Sequence, residues 1–97
     1  MKALRFHEAA RSEAKLATVW YAARSQRSAQ RFLDELQMAY SSAANSPLLY
    51  PLYLHGTRRI LLKRFPFFVV YFAWQDEVYI VAVVHAKRRP GYWSSRL

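Results

Sequence analysis

The feature that most constrains the fold is a change in hydrophobic spacing near the middle of the chain. From residue 8 to residue 45, apolar side chains recur three or four positions apart, no Gly or Pro intervenes, and Pro47 follows as a stop signal. From residue 57 to residue 85, Ile, Val, Phe and Tyr dominate, which favours β-strands. The chain is therefore expected to pack a helical half against a β half.

The helical half predicts two helices joined by a polar break. The first is predicted over residues 8–24, and residues 25–28 supply N-cap candidates for the second, which should end near Asn45. Because the break is short, the two helices should form an antiparallel hairpin. A short apolar segment, Ala3 to Phe6, precedes them and is predicted to be a strand.

The β half predicts three strands after a loop over residues 48–56. They cover residues 57–64, 67–74 and 78–85, and the breaks between them are too short for anything but antiparallel neighbours. The order strand, two helices, three strands predicts an α+β fold in a single domain spanning residues 1–97. The helix hairpin should pack on one face of a three-stranded antiparallel sheet.

Strand pairing sorts the sheet into two predicted faces. If Trp74 lies opposite Val78, one wholly apolar face should lie under the helices. That face contains Phe68, Val70, Phe72, Trp74, Val78, Ile80, Ala82 and Val84. The other face should be uncovered and available to a partner. It contains Tyr71, Tyr79, Val81 and Val83 as predicted partner-binding residues, with Arg58, Arg64 and His85 on the same side.

Charge and composition restrict the class of partner. The chain has 97 residues with 15 Lys and Arg against 6 Asp and Glu, a formal net charge of +9, which predicts nucleic acid, an anionic membrane face or an acidic polypeptide as partner. The lack of Cys excludes disulfides and thiolate metal sites and favours the cytoplasm. The three His residues lie far apart, so neither a metal site nor a cofactor is expected. No apolar run is long enough to predict membrane insertion.

Several short motifs resemble one family. The C-terminal half contains Arg64-Phe65-Pro66-Phe67, Val69-Val70-Tyr71, Ala82-Val83-Val84-His85 and Arg88-Arg89-Pro90-Gly91-Tyr92-Trp93. The N-terminal half contains Phe6-His7, Trp20-Tyr21, Arg31-Phe32 and Asn45-Ser46-Pro47. Together they resemble the RelE/ParE superfamily of bacterial toxins, often labelled plasmid stabilisation proteins of type II toxin–antitoxin modules. The resemblance spans nearly the whole chain.

The resemblance implies an acidic or amphipathic antitoxin that wraps the toxin and silences it, and a toxin that arrests growth when free. It also implies one of two activities. RelE-like members bind the ribosome and cut messenger RNA, whereas ParE-like members bind DNA gyrase and trap it on DNA. The resemblance leaves open whether the toxin forms a dimer or a hetero-oligomer with the antitoxin. The alternative function is that of a free-standing basic nucleic-acid-binding domain.

RNA cleavage would need a base, a proton donor and cations that stabilise the charged intermediate. Under the resemblance, the catalytic candidates are His85, Arg64, Arg88 and Tyr92, and the candidate nucleic-acid contacts are Arg58, Arg64, Arg88 and Arg89. His85 equally fits a hydrogen-bonded strand end, Arg88 and Arg89 a solvated tail, and Tyr92 a packing anchor. Because two of the four second-strand positions on that face are aliphatic, the ParE-like activity is slightly favoured.

Other singled-out residues are predicted to be structural. Glu13 lies beside the apolar stripe of the first helix and should pair there with Arg59 or Lys63. The aromatic members of this structural set are Trp20, Tyr21, Phe32, Phe68, Phe72 and Trp93.

Overall fold

The computed structural model describes the whole chain, Met1 to Leu97, and confirms the predicted order of elements. The elements are β1 (Ala3–Phe6), α1 (Glu8–Ala22), α2 (Gln26–Asn45), β2 (Arg58–Leu61), β3 (Phe67–Trp74) and β4 (Glu77–His85). Short 3₁₀ turns cover Leu54–Gly56 and Ser94–Arg96. Neither α-helix combines the length and the apolar character needed to cross a membrane.

Local hydrogen bonds explain where the helices begin. The His7 side chain accepts a hydrogen bond from the Ala9 N–H at 3.0 Å, and the Ser25 hydroxyl accepts one from the Ser28 N–H at 3.2 Å. The first helix stops at Ala22, two residues earlier than predicted, because its last turn tightens, with the Arg24 N–H donating to the Tyr21 carbonyl at 3.0 Å, and Ser25 is extended. This tight turn makes the antiparallel hairpin of α1 and α2.

The four strands form one mixed sheet in the order β1-β4-β3-β2. β1 runs parallel to β4, with Ala3 opposite Glu77 and Phe6 opposite Ile80. The other two pairings are antiparallel, as predicted for the C-terminal strands. This arrangement leaves β2 and β1 as the two edges of the sheet.

The predicted pairing of β3 with β4 is correct at one end and wrong at the other. Phe68 faces Val84 and Val70 faces Ala82 as predicted, but Trp74 faces Glu77 instead of Val78, and Phe72 faces Tyr79 instead of Ile80. The turn has only two residues and places Gln75 at a φ of 55°, the left-handed geometry that suits a tight hairpin. A bulge beside Val70 absorbs the one-residue difference, since Val81 has no partner there.

The predicted assignment of the two faces is inverted along β3 and for residues 82–84 of β4, whereas Val78 and Ile80 lie under the helices as predicted. Val69, Tyr71, Ile80 and Val83 pack with the helices, together with Phe32 of α2. The opposite face contains Phe68, Val70, Val81, Ala82 and Val84, with Phe72 packed against them. Both faces are apolar because both are covered, so periodicity alone could not show which face meets the helices.

The cover on the second face is the C-terminal tail. Trp93 packs with Phe68 and Val84 and is only 1% exposed. The Tyr53 ring lies 5.8 Å from the Phe68 ring and 6.1 Å from the Trp93 ring, so the loop before β2 joins the same cluster. The open apolar sheet face predicted from the sequence is therefore absent.

Candidate functional sites

One half-buried carboxylate fastens the tail to the helices and the sheet. Glu13 on α1 accepts hydrogen bonds from the Arg96 guanidinium at 2.8 and 3.0 Å and from the Tyr92 hydroxyl at 2.5 Å. It also accepts the Val83 N–H of β4 at 3.0 Å. This network, which we call the Glu13 anchor, joins α1, β4 and the tail at one point.

The Glu13 anchor shifts the pKa values of its members. Burial alone would raise the pKa of Glu13, but hydrogen bonds from Arg96, Tyr92 and the Val83 N–H outweigh burial and hold that pKa below its ordinary value. Burial, followed by the bond to the Glu13 carboxylate, raises the pKa of Tyr92. Glu13 is therefore charged and Tyr92 neutral at physiological pH.

A cleft of about 470 Å³ opens beside this anchor, between α1 and the end of the β3–β4 hairpin. Six of its ten lining residues are hydrophobic. The lining comprises Glu13, Leu16, Ala17, Trp20, Tyr21, Pro66, Phe67, Val83, His85 and Arg88. We call it the α1 cleft.

The structure brings together some of the catalytic candidates but gives each a structural partner. His85 and Arg88 both line the α1 cleft. The His85 Nδ1 accepts the Lys87 N–H at 3.1 Å, and its ring meets the Phe67 ring at 5.0 Å. Arg88 lies 3.7 Å from the centre of the Tyr92 ring, whose hydroxyl donates to Glu13.

The candidate nucleic-acid contacts separate into two places. Arg64, Arg88 and Arg89 are exposed near one end of the sheet, because the Ala86 N–H donates to the Pro66 carbonyl at 2.8 Å. Arg58 lies at the other end of β2, opposite Tyr71, where its guanidinium donates to the Tyr50 carbonyl. Arg58 therefore does not share a surface with the other three.

Most of the predicted partner-binding residues are not on the surface. Tyr71 and Val83 are 0% and 2% exposed under the helices, and Val81 is 3% exposed under the tail. The Tyr71 hydroxyl donates to the Pro47 carbonyl at 2.7 Å. Only Tyr79 is partly exposed, and its hydroxyl donates to Glu77 at 3.0 Å. The proposed face is thus interior, because the alternation breaks at the bulge and the tail covers what remains.

The predicted structural residues divide by burial. Phe32, Phe68 and Trp93 are buried, and Glu13 forms an ion pair. Tyr21 and Phe72 are half-buried against the two clusters. Trp20 departs from the prediction because it is 52% exposed, with the Arg24 guanidinium 3.4 Å from the centre of its ring.

Two contacts that hold the fold together were not predicted from the sequence. Glu13 pairs with Arg96, whereas Arg59 stacks on Tyr53 at 4.2 Å and Lys63 is exposed. No local spacing could reveal a pair 83 residues apart. Glu35 of α2 accepts the Lys63 and Arg64 N–H groups at 2.7 and 3.3 Å and so holds the β2–β3 turn. Its only sequence signal is its position three residues after the core residue Phe32.

A second groove runs between α2 and β2, with a volume of about 540 Å³. Met38 and Leu61 stand on it and are 62% and 64% exposed. The Leu62 N–H donates to the Phe67 carbonyl of β3 at 3.0 Å, so the alternation of an antiparallel pair turns the backbone groups of Leu61 away from β3, toward the open edge of the sheet. We call this surface the α2–β2 groove.

The fold is shared with a known structure. It is similar to a solved structure described as the chromosomal ParDE TA system from P. aeruginosa, with a TM-score of 0.73. The likeness covers 90% of this chain and 98% of that chain at 18% sequence identity. At this identity the likeness shows a shared fold.

The sequence then defines the family. A family model described as the ParE toxin of type II toxin-antitoxin system, parDE, matches residues 4–90. The chain therefore belongs to the ParE toxin family, which confirms the resemblance to the RelE/ParE superfamily. No curated protein matches the chain.

Proposed function

We propose that this ParE-family toxin arrests growth by acting on DNA gyrase in the cytoplasm, and that a cognate antitoxin neutralises it. The observation that carries the proposal is the family match over residues 4–90, which includes both α-helices and all of the strands except Ala3 at the start of β1. The alternative target is messenger RNA on the ribosome. The geometry of the candidate catalytic groups bears on the choice between them.

Two of the catalytic candidates, Tyr92 and His85, make hydrogen bonds that hold the fold together. Tyr92 donates to Glu13, and the His85 Nδ1 accepts the Lys87 N–H. Arg58 lies at the far end of β2 from Arg64, and the tail covers the sheet face opposite the helices. A ribonuclease needs its acid, base and cations around one phosphate. His85, Arg64 and Arg88 lie near one end of the sheet, but the Tyr92 hydroxyl is bonded to Glu13 and Arg58 is distant, so this incomplete set favours a toxin that acts by binding.

Two parallel assays test the target. Purified toxin should block supercoiling of relaxed plasmid by gyrase and should trap DNA cleaved by gyrase, whereas messenger RNA on programmed ribosomes should stay intact. The matched variant is His85→Ala, with its fold checked by circular dichroism and thermal unfolding. We expect His85→Ala to retain gyrase inhibition. If the wild-type toxin cleaves messenger RNA and folded His85→Ala does not, the target is the ribosome and not gyrase.

For the antitoxin, the α2–β2 groove is the proposed docking surface. It joins an unpaired strand edge to exposed apolar side chains, which is how an extended segment binds by adding a strand. Leu52, which bridges to Arg58 at the start of β2, is 68% exposed and extends the apolar surface along the edge. The net charge of +9 favours an acidic segment and fast association.

A further inference from the structure

Three turns of the chain meet at one end of the molecule. The Phe65 ring lies 4.9 Å from the Tyr21 ring and 5.3 Å from the Phe32 ring, so the β2–β3 turn lies beside the α1–α2 turn. The bond from the Ala86 N–H to the Pro66 carbonyl adds the segment after β4. We call the surface formed by residues 23–31, 63–66 and 86–89 the basic end.

Nearly all of the net charge of the protein is concentrated there. The basic end contains eight of the fifteen Lys and Arg residues and no Asp or Glu. They are Arg24, Arg27, Arg31, Lys63, Arg64, Lys87, Arg88 and Arg89, all exposed. The rest of the chain has seven basic and six acidic residues, so it is almost neutral.

These eight cations lack carboxylate partners. The two salt bridges of the protein, Arg5 with Glu77 and Arg96 with Glu13, both lie elsewhere. The three carboxylates near this end have other partners. Glu35 accepts the Lys63 and Arg64 backbone N–H groups, Asp34 accepts the Gln30 side-chain amide at 2.9 Å, and Glu13 pairs with Arg96. A like-charged surface costs stability through self-repulsion, so a concentration of this kind points to an anionic ligand.

The chemistry of the basic end matches phosphate. Six of its eight cations are Arg, whose planar guanidinium binds phosphate oxygens in pairs. The N-terminus of the 20-residue helix α2 points to the same end and adds the partial positive charge of its dipole. The large exposed apolar side chains Leu16, Val19 and Trp20 lie on α1 beside the basic end, whereas residues 23–31, 63–66 and 86–89 contain none. An acidic protein partner would need such anchors among the cations for tight binding.

We infer that the basic end binds the phosphate backbone of DNA directly. The DNA backbone is a regular polyanion, and the eight exposed cations of the basic end would contact its phosphates. Because phosphate contacts do not read the bases, this binding should not depend on base sequence. This inference goes beyond the gyrase proposal, because the toxin contacts DNA itself and the contact is measured with no gyrase present. If the toxin does not inhibit gyrase but does bind DNA, only the proposed gyrase target is refuted.

The test is fluorescence anisotropy with a labelled 20-base-pair duplex of mixed sequence, titrated at several NaCl concentrations. The test variant combines Arg27→Glu and Arg64→Glu, from two of the three turns. The matched control combines Arg11→Glu and Lys15→Glu, two exposed positions of α1 outside the basic end, and has the same net charge. Circular dichroism and thermal unfolding are used to check that each variant is folded.

The wild-type chain should bind the duplex with an affinity that falls steeply with salt. The test variant should lose more than tenfold in affinity at about 100 mM NaCl, and its slope of log K against log salt should fall by about 2, near 0.9 for each lost phosphate contact. The control should stay within about threefold of wild type with its slope unchanged. That pattern would establish the site.

Three results would overturn the inference. The first is a wild-type chain that does not bind the duplex. The second is an equal loss of affinity in the test variant and the control, which would mean that only net charge matters. The third is an oligoglutamate peptide of equal charge that binds more tightly than the duplex and loses its binding in the test variant, which would assign the basic end to an acidic protein.

Discussion

At the scale of single residues, Glu13 determines where the tail lies. Its side chain is 15% exposed and pairs with the Arg96 side chain, which is 16% exposed. A half-buried carboxylate with three donors is strongly stabilising when all three are present and costly when one is removed, because the remaining groups stay buried without partners. The Glu13 anchor therefore holds the Trp93 cluster over the sheet.

Glu13→Gln should destabilise the fold by about 1–3 kcal/mol at pH 7, since it leaves Arg96 without its countercharge. The folded-state pKa of Glu13 lies below its ordinary value of 4.5, so its contribution is present above that pH and is lost as pH falls through the folded-state pKa. The gap between wild type and Glu13→Gln should thus close in acid. Urea unfolding of both proteins between about pH 7 and pH 3 measures it.

The matched control for this prediction is Glu8→Gln, an exposed carboxylate in the first turn of the same helix. It should cost at most about 0.3–1 kcal/mol through the helix dipole. A gap between wild type and Glu13→Gln that stays constant down to pH 3 would show that the cost comes from packing and not from the charge.

At the scale of elements, β2 is the exposed edge of the sheet. It has only four residues, and Leu61 on it is more exposed than any residue of β3 except Trp74. Short edge strands limit unwanted pairing, yet the neighbouring α2–β2 groove adds apolar area that a specific segment could cover. The same groove contains no buried polar group left unpaired.

If the antitoxin docks in the α2–β2 groove, Leu61→Glu should weaken the complex at least tenfold without unfolding the toxin, because Leu61 is 64% exposed. Isothermal titration calorimetry against the cognate antitoxin measures the loss. The control is Leu16→Glu, which alters an equally exposed leucine on the α1 cleft. If only Leu16→Glu weakens the complex, the antitoxin binds in the α1 cleft instead.

At the scale of the whole molecule, a compact body presents a strongly basic end and an α2–β2 groove as separate surfaces. If these surfaces have the proposed roles, the toxin can meet a target and an inhibitor through different residues. Expression of the chain alone should then arrest growth, and co-expression of the cognate antitoxin should restore growth. Colony counts after induction measure both effects. Unaffected growth at high levels of folded protein would contradict the assignment as an active toxin.

The sequence by itself determined the elements and the family. Residues 8–45 form helices because their apolar side chains repeat at helical spacing, and His7 and Ser25 supply the caps. Residues 67–74 and 77–85 form strands because β-branched and aromatic residues fill them. The motifs in both halves of the chain indicated the superfamily, which the family match over residues 4–90 confirms.

Tertiary structure alone decided which sheet face meets the helices and which residues remain on the surface. Both faces are apolar, so the choice depended on the bulge at Val81 and on the Trp93 cover, neither of which has a local signal. The partnership of Glu13 with Arg96 and the meeting of three basic turns were hidden for the same reason. They join segments far apart in the chain, and sequence spacing constrains only neighbours within one element.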